Sequence, residues 1–368
     1  MTSGQNLMSK RRWVWSAAIT LIVVAAVYFY LRRNGVGEGT RDVPLAAMPA
    51  DASAVFFADL TELRPTQFAA GLFQWAPRPA ADAEYAQFVR DTGFDYERDL
   101  DRAALAVIKR GPDTIFFAVA DGRFDRKKIA IYALQSGTRE IRGGREVFSV
   151  PLTGNAAKIT FTFLADNRLA IANGADFANL LRPQTGSDAN DWRDRFRRLA
   201  GSPLFAVIRQ DAEAGSALAS RAPGGLQSPQ LSALLDQLQW ITVAGKPQAD
   251  ALRIVAEGEC PTDQTARQLA DLLSGVLLLA HAGLNGPQTR KQLDPQAREA
   301  YLEVLKGADV SRIDRGDTKS VRLVFDVTPR FLEAAKSAVP AIAPQTPRTR
   351  ELPAQTHKRS SRKPKNTD

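Results

Sequence analysis

Residues 13–31, WVWSAAITLIVVAAVYFYL, form a run of nineteen residues without a formal charge. As a helix rising 1.5 Å per residue the run is about 28 Å long, close to the thickness of a bilayer's hydrocarbon core. Whatever follows must therefore fold beside a membrane or after release from one. Trp13 and Trp15 mark one end of the run and Tyr28 and Tyr30 the other, where amphipathic rings lie at headgroup level. A cleaved signal peptide is the competing reading. Against it, the run is long and ends in YFYLRR, where a peptidase needs small residues, and no cysteine follows to take a lipid. The expectation is an uncleaved, single-span anchor. Lys10, Arg11 and Arg12 precede it without an acid, whereas Arg32 and Arg33 are soon diluted by Glu38 and Asp42. That asymmetry keeps the N-terminus in the cytoplasm and exports the body, which places it at a bacterial inner membrane on the periplasmic side.

The charge distribution excludes the partner that a net charge of +9 first suggests. Residues 1–33 carry five bases and no acid, and residues 345–368 carry seven bases and two acids. The 311 residues between are left close to neutral, at about −1. A domain that tracks phosphates concentrates its bases on the folded body, so no nucleic acid is expected. The single cysteine, Cys260, permits no internal disulfide and reads as a buried small apolar residue.

Composition shifts divide the chain. Residues 1–12 are a cytoplasmic N-terminus, 13–31 the anchor and 32–48 a Gly-rich flexible spacer. From residue 49 short β-rich runs alternate with helical ones. AVFFADL (54–60), AALAVIKR (103–110), TIFFAVADG (114–122), EVFSVP (146–151), KITFTFL (158–164) and RLAIANG (168–174) read as strands. TQFAAGLFQWA (66–76), EYAQFVRDTG (84–93), DRKKIAIYALQSG (125–137) and ADFANLLR (175–182) read as helices, with Asp125 as an N-cap and Gly137 as a stop.

The order then recurs. PLFAVIR (203–209) and QWITVAGK (239–246) take the places of the first two strands. LRIVAEGEC starts 138 residues after TIFFAVADG, and Asp263 lies 138 after Asp125. SVRLVFDV (320–327) with its following helix answers KITFTFL with ADFANLLR, and about 276–306 is a helical insertion. The predicted fold class is α+β: an N-terminal transmembrane helix, then two pseudo-repeated α+β half-domains, 49–200 and 201–340. Residues 341–368 lack apolar periodicity and read as a disordered basic tail.

The stretch TGFDYERDLDR, 92–102, sets acids at every second position from Asp95 to Asp101. A calcium loop needs Gly and Glu where Leu100 and Ala106 stand, so no metal site is predicted. The carboxylates are expected to pair at the surface with Arg90, Arg98 and Arg102, while Phe94, Tyr96 and Leu100 dock the segment. MPADASAVFFADLTELR (48–64) followed by TGFDYERDLDRAALAVIKR (92–110) resembles the opening of an uncharacterised family of bacterial single-span envelope proteins. The resemblance covers about the first 180 residues. It implies a duplicated α+β domain in the envelope and carries no activity with it.

No nucleophile elbow, zinc helix, phosphate loop or cysteine cluster occurs, so no catalytic residue and no cofactor is predicted. His281, within GVLLLAHAGL (275–284), reads as a core or boundary residue of a helix buried in the body, with lining an apolar cavity or facing a partner as the alternatives. In NDWRDRFRRLAG (190–201), Trp192 and Phe196 share a helical face while Arg193, Arg195, Arg197 and Arg198 surround it. Those six are a candidate surface contact for anionic lipid or a partner, against the plainer reading of a helix covering its own core. Two functions are consistent with all this: a non-catalytic envelope protein that binds a protein partner or supports an assembly, or a carrier of a lipid or other hydrophobic ligand in a cavity between the half-domains.

Overall fold

The computed structural model describes residues 42–70, 83–111, 113–151, 158–173, 177–182, 186–210 and 233–338. The anchor with Trp13, Trp15, Tyr28 and Tyr30, the second part of the helix expected over 66–76, and the tail lie outside the described residues. No helix among the described residues is long and apolar enough to cross a membrane.

The strands are β1 (Ala54–Asp59), β2 (Leu100–Arg110), β3 (Asp113–Gly122), β4 (Thr138–Arg142), β5 (Arg145–Pro151), β6 (Lys158–Ala165), β7 (Arg168–Asn173), β8 (Leu204–Arg209), β9 (Trp240–Gln248), β10 (Ala251–Cys260), β11 (Asp309–Asp314) and β12 (Lys319–Val327). All twelve join one antiparallel sheet in the order β11-β12-β10-β9-β8-β1-β2-β3-β7-β6-β5-β4. The helices are α1 (Asp42–Ala46), α2 (Leu60–Leu63), α3 (Ala83–Thr92), α4 (Tyr96–Asp99), α5 (Arg126–Leu134), α6 (Phe177–Leu180), α7 (Ser187–Leu199), α8 (Asp263–Asn285), α9 (Pro287–Gln292), α10 (Pro295–Gly307) and α11 (Pro329–Ala338). The protein is thus a mixed α+β fold built on one large antiparallel sheet.

Local chemistry sets the element ends. Asp125 accepts from the Lys128 amide at 3.1 Å and starts α5, as its sequence position predicts. The start of α8 is capped by Thr262, which accepts from the Thr265 amide at 3.1 Å. Gly143 and Gly144 take φ of 57° and 76° in the tight β4–β5 turn, a left-handed path that suits glycine.

Side chains alternate between two faces along each strand, so the sheet has two characters. On one face Val55, Phe57, Phe117, Phe205 and Val207 form the main core, sealed by Trp192 and Phe196 of α7 and by Leu45 and Met48. Leu45 and Met48 therefore belong to the folded body. The spacer expected over 32–48 is corrected over 42–48, because these two side chains find apolar partners, and residues 32–41 lie outside the described residues. The other face carries α5 at one end, through Ile129 and Ala133 on Phe148, Phe161 and Leu169. It carries α8 at the other, through Ala266, Leu269 and Ala270 on Cys260 and Val321.

Three further expectations are corrected. The acidic stretch 92–102 is less solvated than its composition suggests. Asp99 is buried against Arg98 and Arg123, and Arg102 reaches the buried Asp59 at 2.9 Å. Asp95 serves as the N-cap of α4, and Phe94 and Tyr96 dock as predicted. GVLLLAHAGL is helical, yet Leu278 is 71 % and Leu279 72 % exposed and His281 is exposed as well, so this part of α8 is not enclosed by the body. The edge strands β4 and β11 stand where no strand was expected.

Candidate functional site

Between α5 and α8, Leu60 and Leu63 of α2, with Phe94 and Tyr96, pack over Ala58 on part of the second face, and beyond them its residues can be followed straight across the sheet. Phe161 pairs with Ile171, Ile171 with Ala118, Ala118 with Leu105, and Leu105 with Phe56 of β1. Phe56 pairs with Ala206 of β8, Ala206 with Val243, Val243 with Ala256, and Ala256 with Leu323. The neighbouring row reads Ala103, Ala58, Leu204, Gly245 and Ile254. No polar side chain interrupts either sequence of pairs.

Small residues make the surface concave. Ala58, Ala103, Ala206 and Gly245 lower the floor, while Phe56, Leu105, Leu252 and Ile254 stand around it. The result is an open apolar groove of about 280 Å³, centred on the β1–β8 pair. Phe56, 40 % exposed, is the most accessible side chain on it. Gly245 leaves room without strain, since a Cβ there would meet Leu204 and Leu252 no closer than 3.4 Å.

A second, larger cleft of about 470 Å³ lies near the start of α7 and is lined by Asp51, Arg110, Ser187 and Asp188. Arg110 there already pairs with Asp51 at 3.2 Å, and both are exposed. It is a solvated surface recess, so the smaller groove is the better candidate despite its size.

The six residues singled out on α7 are divided by the fold. Trp192 and Phe196 face the core; the Trp192 ring meets Trp240 edge-on at 4.9 Å between centroids, and its Nε1 donates to the Ala50 carbonyl at 3.2 Å. They are not available to lipid or a partner, which corrects that part of the expectation in favour of the core-covering reading. Arg195 and Arg198 both bind Glu259 of β10, Arg198 at 2.6 Å, and the Arg195 guanidinium lies 3.9 Å above the Trp240 ring. Arg193 and Arg197 remain at the surface with local contacts to Asn190 and Asp194. On the same face of β10, Glu257 is held by Arg315 and Arg322. Burial raises the Glu257 carboxyl, but the hydrogen bonds and charges of Arg315 and Arg322 outweigh it and hold the group below the usual glutamate range.

Neither cluster has the form of a catalytic centre, because each carboxylate is occupied by two guanidinium groups. Among the described residues no group of three or more His, Cys, Asp or Glu is arranged to hold a metal ion. Cys260 is buried beside α8, and burial pushes its thiol up to about 11. Sequence reading did not single out the residues of this groove. The signal was present in AVFFAD and LFAVIR, whose apolar residues occupy both alternating sets.

No family model matches the chain, and no curated protein matches it. Among solved structures the chain is similar to crystal form III of TP0453, at 11% identity and a TM-score of 0.43, covering 80% of this chain and 98% of that one. Crystal form I of the same protein gives 10% identity and a TM-score of 0.41, with 80% and 96% covered. A likeness at this level is silent on function.

Proposed function

We propose that the chain is a membrane-anchored, non-catalytic binding protein of the cell envelope, and that its groove carries a slender hydrophobic ligand such as a lipid acyl chain. In this reading residues 13–31 hold it in a bacterial inner membrane, with the body on the periplasmic side. One observation carries the binding role. An antiparallel sheet face left open to water is normally polar, and this one is apolar over the part around Phe56 and Leu105 that α2 and the described helices leave open. The volume limits the ligand. At about 280 Å³ the groove lies at the small end of the ~300–1,000 Å³ range of small-molecule sites. It has room for one chain rather than a whole diacyl lipid.

The groove is proposed to lie where two copies of an ancestral α+β unit meet. Outward from the β1–β8 pair the sheet continues as β2, β3, β7 one way and β9, β10, β12 the other. In each direction a helix follows the second of these strands in sequence, α5 after β3 and α8 after β10. That correspondence supports the duplication, as does the 138-residue offset in the sequence.

The test replaces Phe56 with the photo-crosslinking analogue benzoylphenylalanine in the full chain and irradiates intact cells. The expected product is the protein plus the mass of a lipid or comparable apolar metabolite. A crosslink to another protein would transfer the groove to the partner-binding and assembly role. No adduct above that of an exposed control site such as Arg139 would refute the binding role of the groove.

A further inference from the structure

The second half of α8 carries more apolar surface than its packing uses. Up to Leu273 the helix is seated on the sheet, with Ala266, Leu269 and Ala270 buried. Beyond that, Leu278 and Leu279 are 71 % and 72 % exposed, and Ala282 is exposed one turn further on. Scattered exposed leucines are ordinary, but two adjacent ones on an uncharged helical segment form a patch.

Its surroundings identify what it fits. From Leu272 to Leu293 there is no acidic residue, and the only formal charges are Arg290 and Lys291, both exposed on α9 immediately after the apolar run. Leucines on one side with a cationic border is the pattern of a helix lying in the headgroup region of an anionic bilayer, where apolar burial and attraction to lipid phosphate add. A protein groove that receives a helix gives no reason for acids to be absent over such a length.

The chain outside the described residues points the same way. Only the ten residues 32–41 separate the proposed span from α1, and ten residues extend to at most about 35 Å. That is about the length of α8 itself, 23 residues at 1.5 Å each. The body is thus held within reach of the lipid surface, and contact by the tip becomes an intramolecular event.

We infer that the C-terminal half of α8, with Arg290 and Lys291 of α9, is a second membrane contact that inserts Leu278 and Leu279 into the headgroup region of an anionic lipid surface. The inference rests on the proposed span at residues 13–31.

The experiment uses the full chain carrying Ala282→Cys labelled with the polarity-sensitive fluorophore NBD. Cys260 is buried and its thiol is pushed up to about 11, so it stays unlabelled in the folded protein. The protein is reconstituted into vesicles of phosphatidylethanolamine and phosphatidylglycerol, and flotation reads the anchor independently. The expected result is blue-shifted emission that lipids brominated on their acyl chains quench. It should be reversed by the double substitution Leu278→Asp, Leu279→Asp, with flotation unchanged, and weakened several-fold when phosphatidylglycerol is replaced by phosphatidylcholine. Floating protein with water-like emission overturns the tip and leaves the anchor standing. Blue-shifted emission that ignores brominated lipid and grows with protein density overturns it in favour of contact between copies. Protein that fails to float overturns the anchor, and the tip with it.

Discussion

Glu259 offers the sharpest test of how α7 is held to the sheet. Its side chain is 3 % exposed and binds two arginines of α7, a helix about sixty residues earlier in the chain. The two arginines are not equivalent. Arg198 is 33 % exposed and keeps much of its water, so its share is that of a surface pair, about 0–1 kcal/mol. Arg195 is 11 % exposed, stacked on Trp240, and its Nε has no acceptor among the described residues. Breaking a buried pair by removing one partner costs about 3–5 kcal/mol, chiefly because the remaining charge is stranded. Glu259→Gln preserves shape and one acceptor oxygen and should cost about 3 kcal/mol, at the lower end of that range. Arg198→Gln should cost about 1 kcal/mol or less. Combining Glu259→Gln with Arg195→Met should cost less than the sum of the two single changes, since no charge is then stranded. Urea unfolding followed by tryptophan fluorescence reads all of these, because Trp192 and Trp240 lie in contact beside the cluster. Equal losses for Glu259→Gln and Arg198→Gln, or strict additivity of the double variant, would refute the assignment of Arg195 as the stranded charge.

Other outcomes follow from particular contacts. Gly122→Ala would place a Cβ 2.4 Å from the Asp99 carbonyl, a backbone atom that cannot swing away, so the unfolding free energy should fall by about 3 kcal/mol, and a loss below about 1 kcal/mol would show that the β2–β3 end gives way easily. Glu257 and Asp99 are both raised by burial but lowered further by their arginines, so their folded values lie below the ordinary 4.5 and 3.8. Their stabilisation is present in full above those ordinary values and is lost as pH falls through the lower folded ones; the urea midpoint should be flat down to about pH 5 and drop below about pH 4, and a midpoint that rises on acidification would contradict the pairing. Cys260 should resist a thiol reagent in the native protein and react once urea unfolds it, and rapid native labelling would show that α8 opens readily.

The fold was legible where strands are long and apolar, and illegible where structure depends on a partner distant in sequence. β2, β3, β9 and β10 announce themselves by β-branched and aromatic content. β4 reads TREIR with every residue exposed, so no burial pattern marks it as a strand; it exists because β5 supplies its hydrogen bonds. The uncharged run in α8 implied enclosure because apolar segments usually find a cover, and this one extends beyond the body's support. The arginines of α7 looked like a surface array since Glu259 lies 61 residues after Arg198, inside a run dominated by apolar residues. Periodicity reports which side of an element is apolar. It does not report which buried acid will meet a base from another element.

Where polar residues were placed on this sheet argues for binding by its face rather than by its edges. Both edges of a twelve-stranded antiparallel sheet are open invitations to pair with another chain. Here the outer strands are charged: β4 carries Arg139, Glu140 and Arg142, and β11 carries Asp309, Arg312 and Asp314. Pairs such as Arg139–Glu146 and Lys319–Asp314 bring charges from the neighbouring strands to the same borders. Such edges oppose strand addition, so the protection is applied where indiscriminate assembly would begin. The centre of the groove face has no equivalent device. Phe56, Leu105 and Ile254 could each be polar without disturbing the core on the opposite face, because strand alternation separates the two. A sheet that is charged at its borders and apolar over a centre left partly open among the described residues offers a place for a hydrophobic ligand, around the β1–β8 pair.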